Sequence, residues 1–182
     1  MHTIFKKVSE TAVTFSELML PSTSNFNGKV HGGYILSLMD QIAFACASKH
    51  SGTYCVTASV DTVNFLNPIE VGELVTMKAC INYVGNTSMV VGIRIDSENI
   101  QTGKIKHCNS SYFTMVARSQ NGKSVPVPGL LLTSKNDVRR FTRSMQQKAL
   151  AKQYKELTKN FKFDIIDAVQ KLKDEKVKID LL

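Results

Sequence analysis

One long stretch of the chain has apolar residues at the spacing of an α-helix, from Gly33 to about Lys49. Side chains three and four positions apart share a helix face, so the pattern predicts four turns with one apolar stripe against a core. Asp40 lies beyond the stripe, beside a flank of small residues, where a side chain is neither in the core nor fully in water. The stripe consists of Ile35, Leu38, Met39, Ile42 and Cys46.

Five segments rich in Val, Ile, Thr, Tyr and Phe predict β-strands around this helix. Turn sequences, including NPIEVGE at 67–73 and GNT at 85–87, separate the later segments. Because no strand–helix–strand alternation follows the helix, we expect a mainly antiparallel sheet and an α+β fold. The predicted strands are Ala12–Leu20, Tyr54–Leu66, Leu74–Val84, Ser88–Asp96 and Lys104–Arg118.

In the last quarter of the chain, the apolar residues have helical spacing, and the pattern of β-strands is absent. One apolar stripe ends at Met145, and a second, which begins at Leu150, is rotated from the first by more than a quarter turn. This rotation predicts a kink or break near residues 146–149. Ser134 and Asp137 have the spacing of a capping box, in which Ser134 would be the N-cap of a helix.

Positive charge is concentrated in the same region. The 182 residues carry a formal net charge of +8, and residues 135–182, with 13 basic and 7 acidic residues, contribute +6 of it. We therefore predict one domain at 1–134 and a basic helical extension at 135–182. Basic tails can bind nucleic acid or anionic lipid. Since no basic stripe with interleaved aromatic residues is present, we interpret this tail as a solvated helix face and expect no nucleic-acid partner.

The sequence also indicates a cytoplasmic protein. No apolar run approaches the roughly 20 residues that a membrane span needs, and the start, MHTIFKK, lacks the apolar centre of a signal peptide. The cysteines show no paired spacing, which argues for reduced thiols and against a metal site. We interpret them as small core residues: Cys46, Cys55, Cys80 and Cys108.

The candidate chemistry lies in the predicted helix and in the loop before it. Gly32 and Gly33 would leave the first N–H groups of the helix open to close approach, and such groups stabilise negative charge on an oxygen. Asn25 adds an amide, and Asp40 is a candidate base if it is partly desolvated. Serine-hydrolase and phosphate-loop motifs are absent. This set suits hydrolysis of an activated ester, although each feature alone also has a structural explanation, as turn residues or an exposed charge.

Several of these features occur together in one known family. The pattern N-x-x-G-x-x-x-G-G from Asn25 to Gly33, the MD at 39–40, the stretch CVTASVDTVNFLNPIEVGE at 55–73 and a later SVPVPG follow in order. Over residues 10–130 the chain resembles the hot-dog-fold acyl-CoA thioesterases, in particular the cytosolic (brain-type) hydrolases and their bacterial relatives.

The resemblance implies a fold, a reaction and a set of roles. The fold is an antiparallel sheet of about five strands wrapped around one long central helix. The reaction converts acyl-CoA and water to a fatty acid and CoA, with CoA part of substrate and product and no separate cofactor. Asp40 would be the general base or a nucleophile that forms an anhydride. Asn25 would position water or the thioester, Thr57 would assist, and the N–H groups of Gly32 and Gly33 would polarise the carbonyl.

The resemblance also suggests where CoA binds. Asn64 and Phe65 fall where family members line the pantetheine path. The turn that contains Gly85, Thr87 and Ser88 resembles the one that meets the CoA phosphates. A turn of these residues between two strands also forms without a ligand, so both interpretations stay open.

Helix geometry adds an inference about assembly. Asp40 comes seven residues after Gly33, which places it roughly 10 Å further along the same helix. A thioester carbonyl at the helix start is too far away for that carboxylate to activate its water. We therefore predict that Asp40 and the glycines meet across a dimer interface, with two equivalent sites, and the family implies a trimer of such dimers.

Two other functions remain compatible with the sequence. One is a hot-dog hydratase or dehydratase that acts on acyl thioesters, although its usual His–carboxylate motif is absent. The other is a non-catalytic sensor that binds acyl-CoA or lipid. Release of free thiol from acyl-CoA distinguishes hydrolysis from both.

Overall fold

The computed structural model describes residues 4–159 and 161–180. Residues up to 145 and residues from 146 onward form two compact units, and we describe each unit by itself. The first unit combines one long helix with a five-stranded sheet. Its elements are β1 (Phe5–Lys7), α1 (Val8–Thr11), β2 (Val13–Leu18), α2 (Gly32–Ser51), β3 (Tyr54–Val60), β4 (Leu74–Val84), β5 (Ser88–Asn99), β6 (Lys104–Arg118), β7 (Gly129–Leu131) and the first part of α3 (Lys135–Lys159).

The sheet is antiparallel throughout and has the strand order β2–β4–β5–β6–β3. Side chains alternate between its two faces, because successive residues of a strand point in opposite directions. Met77 of β4, Val91 of β5 and Met115 of β6 are fully buried on the face that packs against α2. The predicted antiparallel α+β fold is confirmed.

The helix α2 forms as its apolar stripe predicts, and all five stripe residues are buried. At its start, the ring of His31 caps the helix by accepting a hydrogen bond from the N–H of Gly33. At its end, Gly52 adopts a left-handed backbone conformation (φ 74°), which glycine tolerates without steric cost. In this conformation the Gly52 N–H donates a hydrogen bond to the Ser48 carbonyl in the last turn.

The predicted strand Tyr54–Leu66 is too long at its C-terminal end, since β3 stops at Val60. A bulge between Thr57 and Ser59 disturbs its pairing with β6. Beyond Val60 the segment keeps only isolated backbone bonds to β6, such as the bond from the Leu66 N–H to the Cys108 carbonyl. A bulged edge strand leaves the ladder in this way because its register no longer matches that of its partner.

Three short elements were not predicted. The strands β1 and β7 pair in parallel in a separate two-stranded sheet, and α1 is a single helical turn. Elements of three or four residues are too short to show a period. Their formation depends on partners distant in sequence, and local propensity does not reveal those partners.

Three of the four cysteines are core residues, as the sequence predicts, and Cys80 is half-buried. All four are free thiols, and Cys46, Cys55 and Cys108 are buried. Burial raises the pKa of the Cys46 thiol to about 12. A thiol with that pKa stays protonated at neutral pH, and its packing is that of a small apolar residue.

The second unit consists of the rest of α3 and of α4 (Ile165–Lys171). Of the predicted kink or break near residues 146–149, the break is wrong, because α3 continues through them. Gln, Gln, Lys and Ala at these positions favour helix, and a rotated apolar stripe does not by itself interrupt the backbone.

The capping box predicted at the start of α3 is confirmed by reciprocal hydrogen bonds between Ser134 and Asp137. Within the described ranges, no helix combines the length and apolarity needed to cross a membrane.

Candidate active site

Asp40 and Thr57 meet where the middle of α2 faces the edge strand β3. The Thr57 hydroxyl donates a hydrogen bond of 2.5 Å to Oδ1 of Asp40. Both side chains are exposed to solvent in the single subunit. They line an open groove of about 500 Å³ together with Gln41, Phe44, Tyr54, Cys55, Val56 and Met115.

The bulge in β3 determines which hydroxyl reaches Asp40. In a regular strand, Ser59 would share a face with Thr57. The bulge pairs Thr57 with Met115 and Ser59 with Thr114, two successive residues of β6 that point to opposite faces. Thr57 therefore faces α2, and Ser59 belongs to the other face of the sheet.

The start of α2 offers fewer free donors than its sequence suggests. The Gly33 N–H donates a hydrogen bond of 2.9 Å to Nδ1 of His31. In the described part of the chain, the Gly32 N–H has no acceptor. The glycines are required by close contacts, since a Cβ on Gly33 would lie 2.9 Å from the His31 ring and one on Gly32 would lie 3.3 Å from the ring of Phe65.

Asn25 shapes the loop that precedes the helix and keeps one donor group available. Its Oδ1 accepts hydrogen bonds from the N–H groups of Asn27 (2.9 Å) and Lys29 (3.1 Å). This is the local side-chain-to-backbone bonding that asparagine favours in turns. The Nδ2 group of Asn25 has no acceptor among the described residues, so it can bind a ligand oxygen.

One subunit does not bring all the predicted catalytic residues together. Asp40 and Thr57 form one group, and the loop of Asn25 with the two glycines forms another. The seven residues between Gly33 and Asp40 lie on one continuous helix, which separates the two groups by roughly 10 Å along its axis.

The predicted CoA residues have mixed placements. Phe65 covers Gly32 at the start of α2, so its ring lies beside the second group. Asn64 uses its backbone carbonyl to accept a hydrogen bond of 2.7 Å from Asn109, and its side chain is solvent-exposed with the rest of that segment.

The turn between β4 and β5 is held by the fold itself. The Gly85 N–H donates to the Ser88 carbonyl (2.7 Å), and the Thr87 carbonyl accepts from the Ala117 N–H (3.0 Å). Since the Gly85 N–H is already bonded, it is not free to bind a phosphate oxygen. The structural explanation of this turn is therefore sufficient for Gly85.

Sequence reasoning missed two polar and aromatic contacts beside the site. Tyr34, next to the glycines, donates a 2.5 Å hydrogen bond to Glu17 of β2, and this bond to a carboxylate raises the tyrosine pKa. The rings of Phe44 and Tyr54 contact each other at a tilt of 59°, with their centroids 5.6 Å apart, in the wall of the Asp40 groove. Each pair joins residues from different elements, so no local pattern could have indicated it.

Comparisons with known proteins place this geometry in a family. The sequence profile of the thioesterase superfamily matches residues 27–104 of this chain. The VdlD protein of Helicobacter pylori (strain 26695) is 45% identical over 140 residues, which cover 77% of this chain and 80% of VdlD. The human cytosolic acyl coenzyme A thioester hydrolase is 34% identical over 78% of this chain but only 39% of its own length.

Solved structures agree with the sequence relatives. An apo-hexameric acyl-CoA thioesterase matches with a TM-score of 0.81 and 31% identity, over 83% of this chain and 97% of the other. The Staphylococcus aureus acyl-CoA hydrolase, solved with butyryl coenzyme A and coenzyme A, matches with a TM-score of 0.79 and 28% identity, over 92% and 98%. That enzyme has also been solved with single alanine replacements of an asparagine, an aspartate and a threonine, at successive intervals of 15 and 17 residues.

These similarities define the class of protein as a thioester hydrolase with the hot-dog fold. The chain belongs to the thioesterase superfamily, within the group of acyl-CoA thioester hydrolases. The predicted fold family and enzyme class are both confirmed.

Proposed function

We propose that this protein hydrolyses fatty acyl-CoA to a free fatty acid and CoA, with Asp40 of one subunit and the α2 start of a second subunit in each active site. The observation that carries the proposal is the 2.5 Å hydrogen bond from Thr57 to Asp40 in an open groove. A carboxylate held by one hydroxyl keeps its second oxygen available for a water molecule.

The proposed reaction has two proton transfers. Asp40 takes a proton from water as the water oxygen adds to the thioester carbonyl carbon. The carbonyl oxygen becomes an oxyanion, which is stabilised by the Gly32 N–H and the Nδ2 group of Asn25. When the tetrahedral intermediate collapses, the C–S bond breaks and the thiolate of CoA takes up the proton. The steps require only water and groups of the protein.

The intervals in the chain support this choice of residues. Asn25 precedes Asp40 by 15 residues, and Asp40 precedes Thr57 by 17. The asparagine, aspartate and threonine replaced in the Staphylococcus aureus hydrolase have the same intervals. The same three residue types at the same spacing in a protein of this fold favour a common set of roles.

Asp40 has two possible roles, base and nucleophile. As a nucleophile it would form an acyl–aspartyl anhydride and release CoA before water enters. Single turnover in ¹⁸O-labelled water, followed by mass spectrometry of the protein, distinguishes them, because only the anhydride route can leave label in the Asp40 carboxyl group. We propose the base, since the Thr57 bond aligns the carboxylate without requiring it to contact the acyl carbon.

Three features favour a dimer as the catalytic unit. The two groups of candidate residues are separated along one helix in the subunit. Among the described residues, β3 pairs only with β6 and so ends the sheet with an unpaired edge, which can join a second copy. Exposed aromatic rings surround this edge, with Tyr54 at 62% exposure and Phe44 at 40%. We propose a symmetric dimer, and, because relatives of this fold are named hexameric, a trimer of dimers.

The proposal also covers the path of CoA in the site and the location of the protein in the cell. We propose that the pantetheine arm passes Phe65 and Asn64 toward Gly32, with Thr87 and Ser88 as the remaining phosphate candidates in their turn. CoA is part of the substrate and product, and no separate cofactor is required. Free thiols at all four cysteines and the relative named as cytosolic favour a cytoplasmic location.

The decisive experiment is a panel of acyl-CoA substrates of increasing chain length, assayed by release of free thiol from wild type, Asp40→Ala and Asn25→Ala. We expect release by wild type and at least a hundredfold loss in Asp40→Ala, the range of general base catalysis. Hydration of an enoyl-CoA without thiol release would instead identify a hydratase. Binding of acyl-CoA without turnover would identify a sensor.

A further inference from the structure

The position of Asn25 in the loop before α2 depends closely on Lys29. The Asn25 N–H donates a hydrogen bond of 2.6 Å to the Lys29 carbonyl, and its Oδ1 accepts one of 3.1 Å from the Lys29 N–H. These two bonds fix both the backbone and the side chain of Asn25 relative to Lys29, and so set the direction of the Nδ2 group. A displacement of Lys29 would therefore displace the proposed oxyanion donor.

Lys29 is in turn joined to the loop of residues 67–73, just before β4. A backbone bridge pairs Lys29 with Glu70, and the N–H of the next residue, Val30, donates to the Ile69 carbonyl (2.9 Å). The Lys29 ammonium group contacts both carboxylate oxygens of Glu70, at 2.5 and 2.6 Å. The same short segment thus holds Lys29 by its backbone and by its side chain.

A buried carboxylate fixes this segment to the sheet. Glu73 is only 6% exposed, and its Oε2 accepts hydrogen bonds from the Glu70 N–H (3.0 Å) and from the Ser97 hydroxyl of β5 (2.7 Å). Its Oε1 forms an ion pair of 2.9 Å with Lys106 of β6. Burial alone would raise the pKa of Glu73, but these bonds outweigh burial and lower the pKa below its usual value. The carboxylate therefore stays charged at neutral pH and ties the backbone of Glu70 to two strands.

Stability alone does not account for the pair of Lys29 and Glu70. Their side chains are 43% and 38% exposed, and an ion pair so accessible to water contributes little to stability. The two loops are already joined by their backbone bonds, so the ion pair is not needed to close them. What the pair adds is a fixed geometry between an anchored glutamate and the residue that orients Asn25.

We propose that Glu70 is a positioning residue for Asn25, and that its ion pair with Lys29 holds the Asn25 Nδ2 group on the oxyanion of the reacting thioester. This role rests on the function proposed above and adds to it a residue that does not itself contact the substrate. Misplacement of a catalytic group by about 1 Å can lower a rate about a hundredfold. Because the backbone bridge remains when the ion pair is lost, we expect only part of that loss.

The test compares kcat and KM for acyl-CoA hydrolysis in wild type, Glu70→Gln and Asp167→Asn. Glu70→Gln keeps the shape of the side chain but removes its charge. It should lower kcat about tenfold and change KM less than about twofold, because the oxyanion forms only in the transition state. Asp167→Asn breaks another exposed ion pair, with Lys171 of α4 (2.6 Å), and should leave both constants unchanged. Thermal unfolding confirms that both variants are folded. An equal loss of kcat in the two variants would contradict the role of Glu70.

A double-mutant cycle shows whether Glu70 acts through Asn25. In the Asn25→Ala background, Glu70→Gln should have no further effect on kcat, because residues that act through one group are not additive. A further loss of about tenfold in that background would overturn the proposal, since the two residues would then act independently.

Reversal of the ion pair shows whether Glu70 acts through Lys29. Lys29→Glu and Glu70→Lys each place like charges opposite each other, so each alone should be less active than Glu70→Gln. Combined, they restore an ion pair and should bring kcat to within about threefold of wild type. A combined variant no more active than either single variant would also overturn the proposal.

Wild type and Asn25→Ala separate failure of this role from failure of the proposed function. No thiol release by wild type, or full activity in Asn25→Ala, would refute the site proposed above and the role of Glu70 with it. An impaired Asn25→Ala together with an unchanged kcat in Glu70→Gln would refute the role of Glu70 alone.

Discussion

The middle of α2 and its start differ in what a single subunit provides. In the middle, Asp40 already has its partner, because Thr57 of β3 donates to it within the same chain. At the start, the Gly33 N–H is used by His31, and the donors left for a ligand are the Gly32 N–H and Nδ2 of Asn25. In the proposed mechanism, the base is therefore positioned within the subunit, whereas the proposed oxyanion donors still require substrate and a second helix.

This difference shows why one subunit is not expected to catalyse the reaction. A base and an oxyanion site must lie within a few ångströms of the same carbonyl group, but one rigid helix keeps them roughly 10 Å apart. A second copy related by a two-fold axis would supply the missing half to each site.

Replacing the base should have the largest effect. Asp40→Asn preserves the shape of the side chain and its bond to Thr57 but cannot take a proton from water. We expect kcat/KM for acyl-CoA to fall about a thousandfold, within the range of general base catalysis, with little change in thermal stability. Retention of a tenth or more of the activity would remove Asp40 from the chemistry.

At the start of α2, two replacements of Asn25 separate its loop role from its donor role. Asn25→Asp retains the oxygen that accepts from Asn27 and Lys29 but loses the Nδ2 donor, whereas Asn25→Ala loses both. If the donor binds the oxyanion, both variants should lose about a hundredfold in kcat, and only Asn25→Ala should also lose stability. Full activity in Asn25→Asp would mean that Asn25 acts only through the loop.

Removal of the Thr57 hydroxyl, which holds Asp40, should have a smaller effect on kcat. Thr57→Val removes the hydrogen bond to Asp40 at constant shape, and we expect kcat to fall about tenfold, as for the loss of one bond to a charged group. Thr57→Ser retains a hydroxyl and is the matched control. A loss in the serine variant that the valine variant does not share would assign the effect to packing of the methyl group.

The far end of α2 carries no proposed chemistry and serves as the reference for both regions. His50 is fully buried there, its Nε2 donates to the Pro128 carbonyl, and burial lowers its pKa. The unfolded chain then takes up a proton near the usual pKa of about 6.5 while the folded chain does not. Stability is therefore complete above that pH and is lost as the pH falls below it, by at most about 1.4 kcal/mol per pH unit.

The measurement for His50 is chemical denaturation between neutral pH and pH 5.5 on wild type and on His50→Gln, in which an amide replaces the titrating ring. We expect the variant to lose most of the pH dependence. An unchanged slope in His50→Gln would show that another group is responsible.

Much of the scaffold was predictable because its signals are local. The stripe of α2 follows from residues three and four apart, and the long strands follow from runs of β-branched and aromatic residues. The bulge that turns Thr57 toward Asp40 depends on the register with β6, which is 58 residues away at Met115. The capping of Gly33 by His31 was missed for another reason: the ring competes for an N–H that the sequence alone leaves free.

A cluster of basic side chains on the face of the sheet opposite α2 was beyond sequence reasoning altogether. Its charges come from two strands and a helix, and Lys78 and Arg140 are far apart in the chain. The sequence located the excess of positive charge in the C-terminal quarter but gave no indication that part of it converges with β4 and β5. Only the pairing of strands and the docking of the first turns of α3 bring these groups together.

The most direct test of the shared site is complementation between two inactive subunits. Asp40→Asn and Asn25→Ala chains with different tags are co-expressed, and the oligomer that carries both tags is purified and assayed for acyl-CoA hydrolysis. A dimer of one chain of each kind would contain one site with both replacements and one fully intact site. In a trimer of dimers assembled statistically, about half of the dimers are of this mixed kind, so we expect about a quarter of wild-type activity, far above either variant alone. Activity no higher than that of the separate variants would contradict an active site shared between subunits.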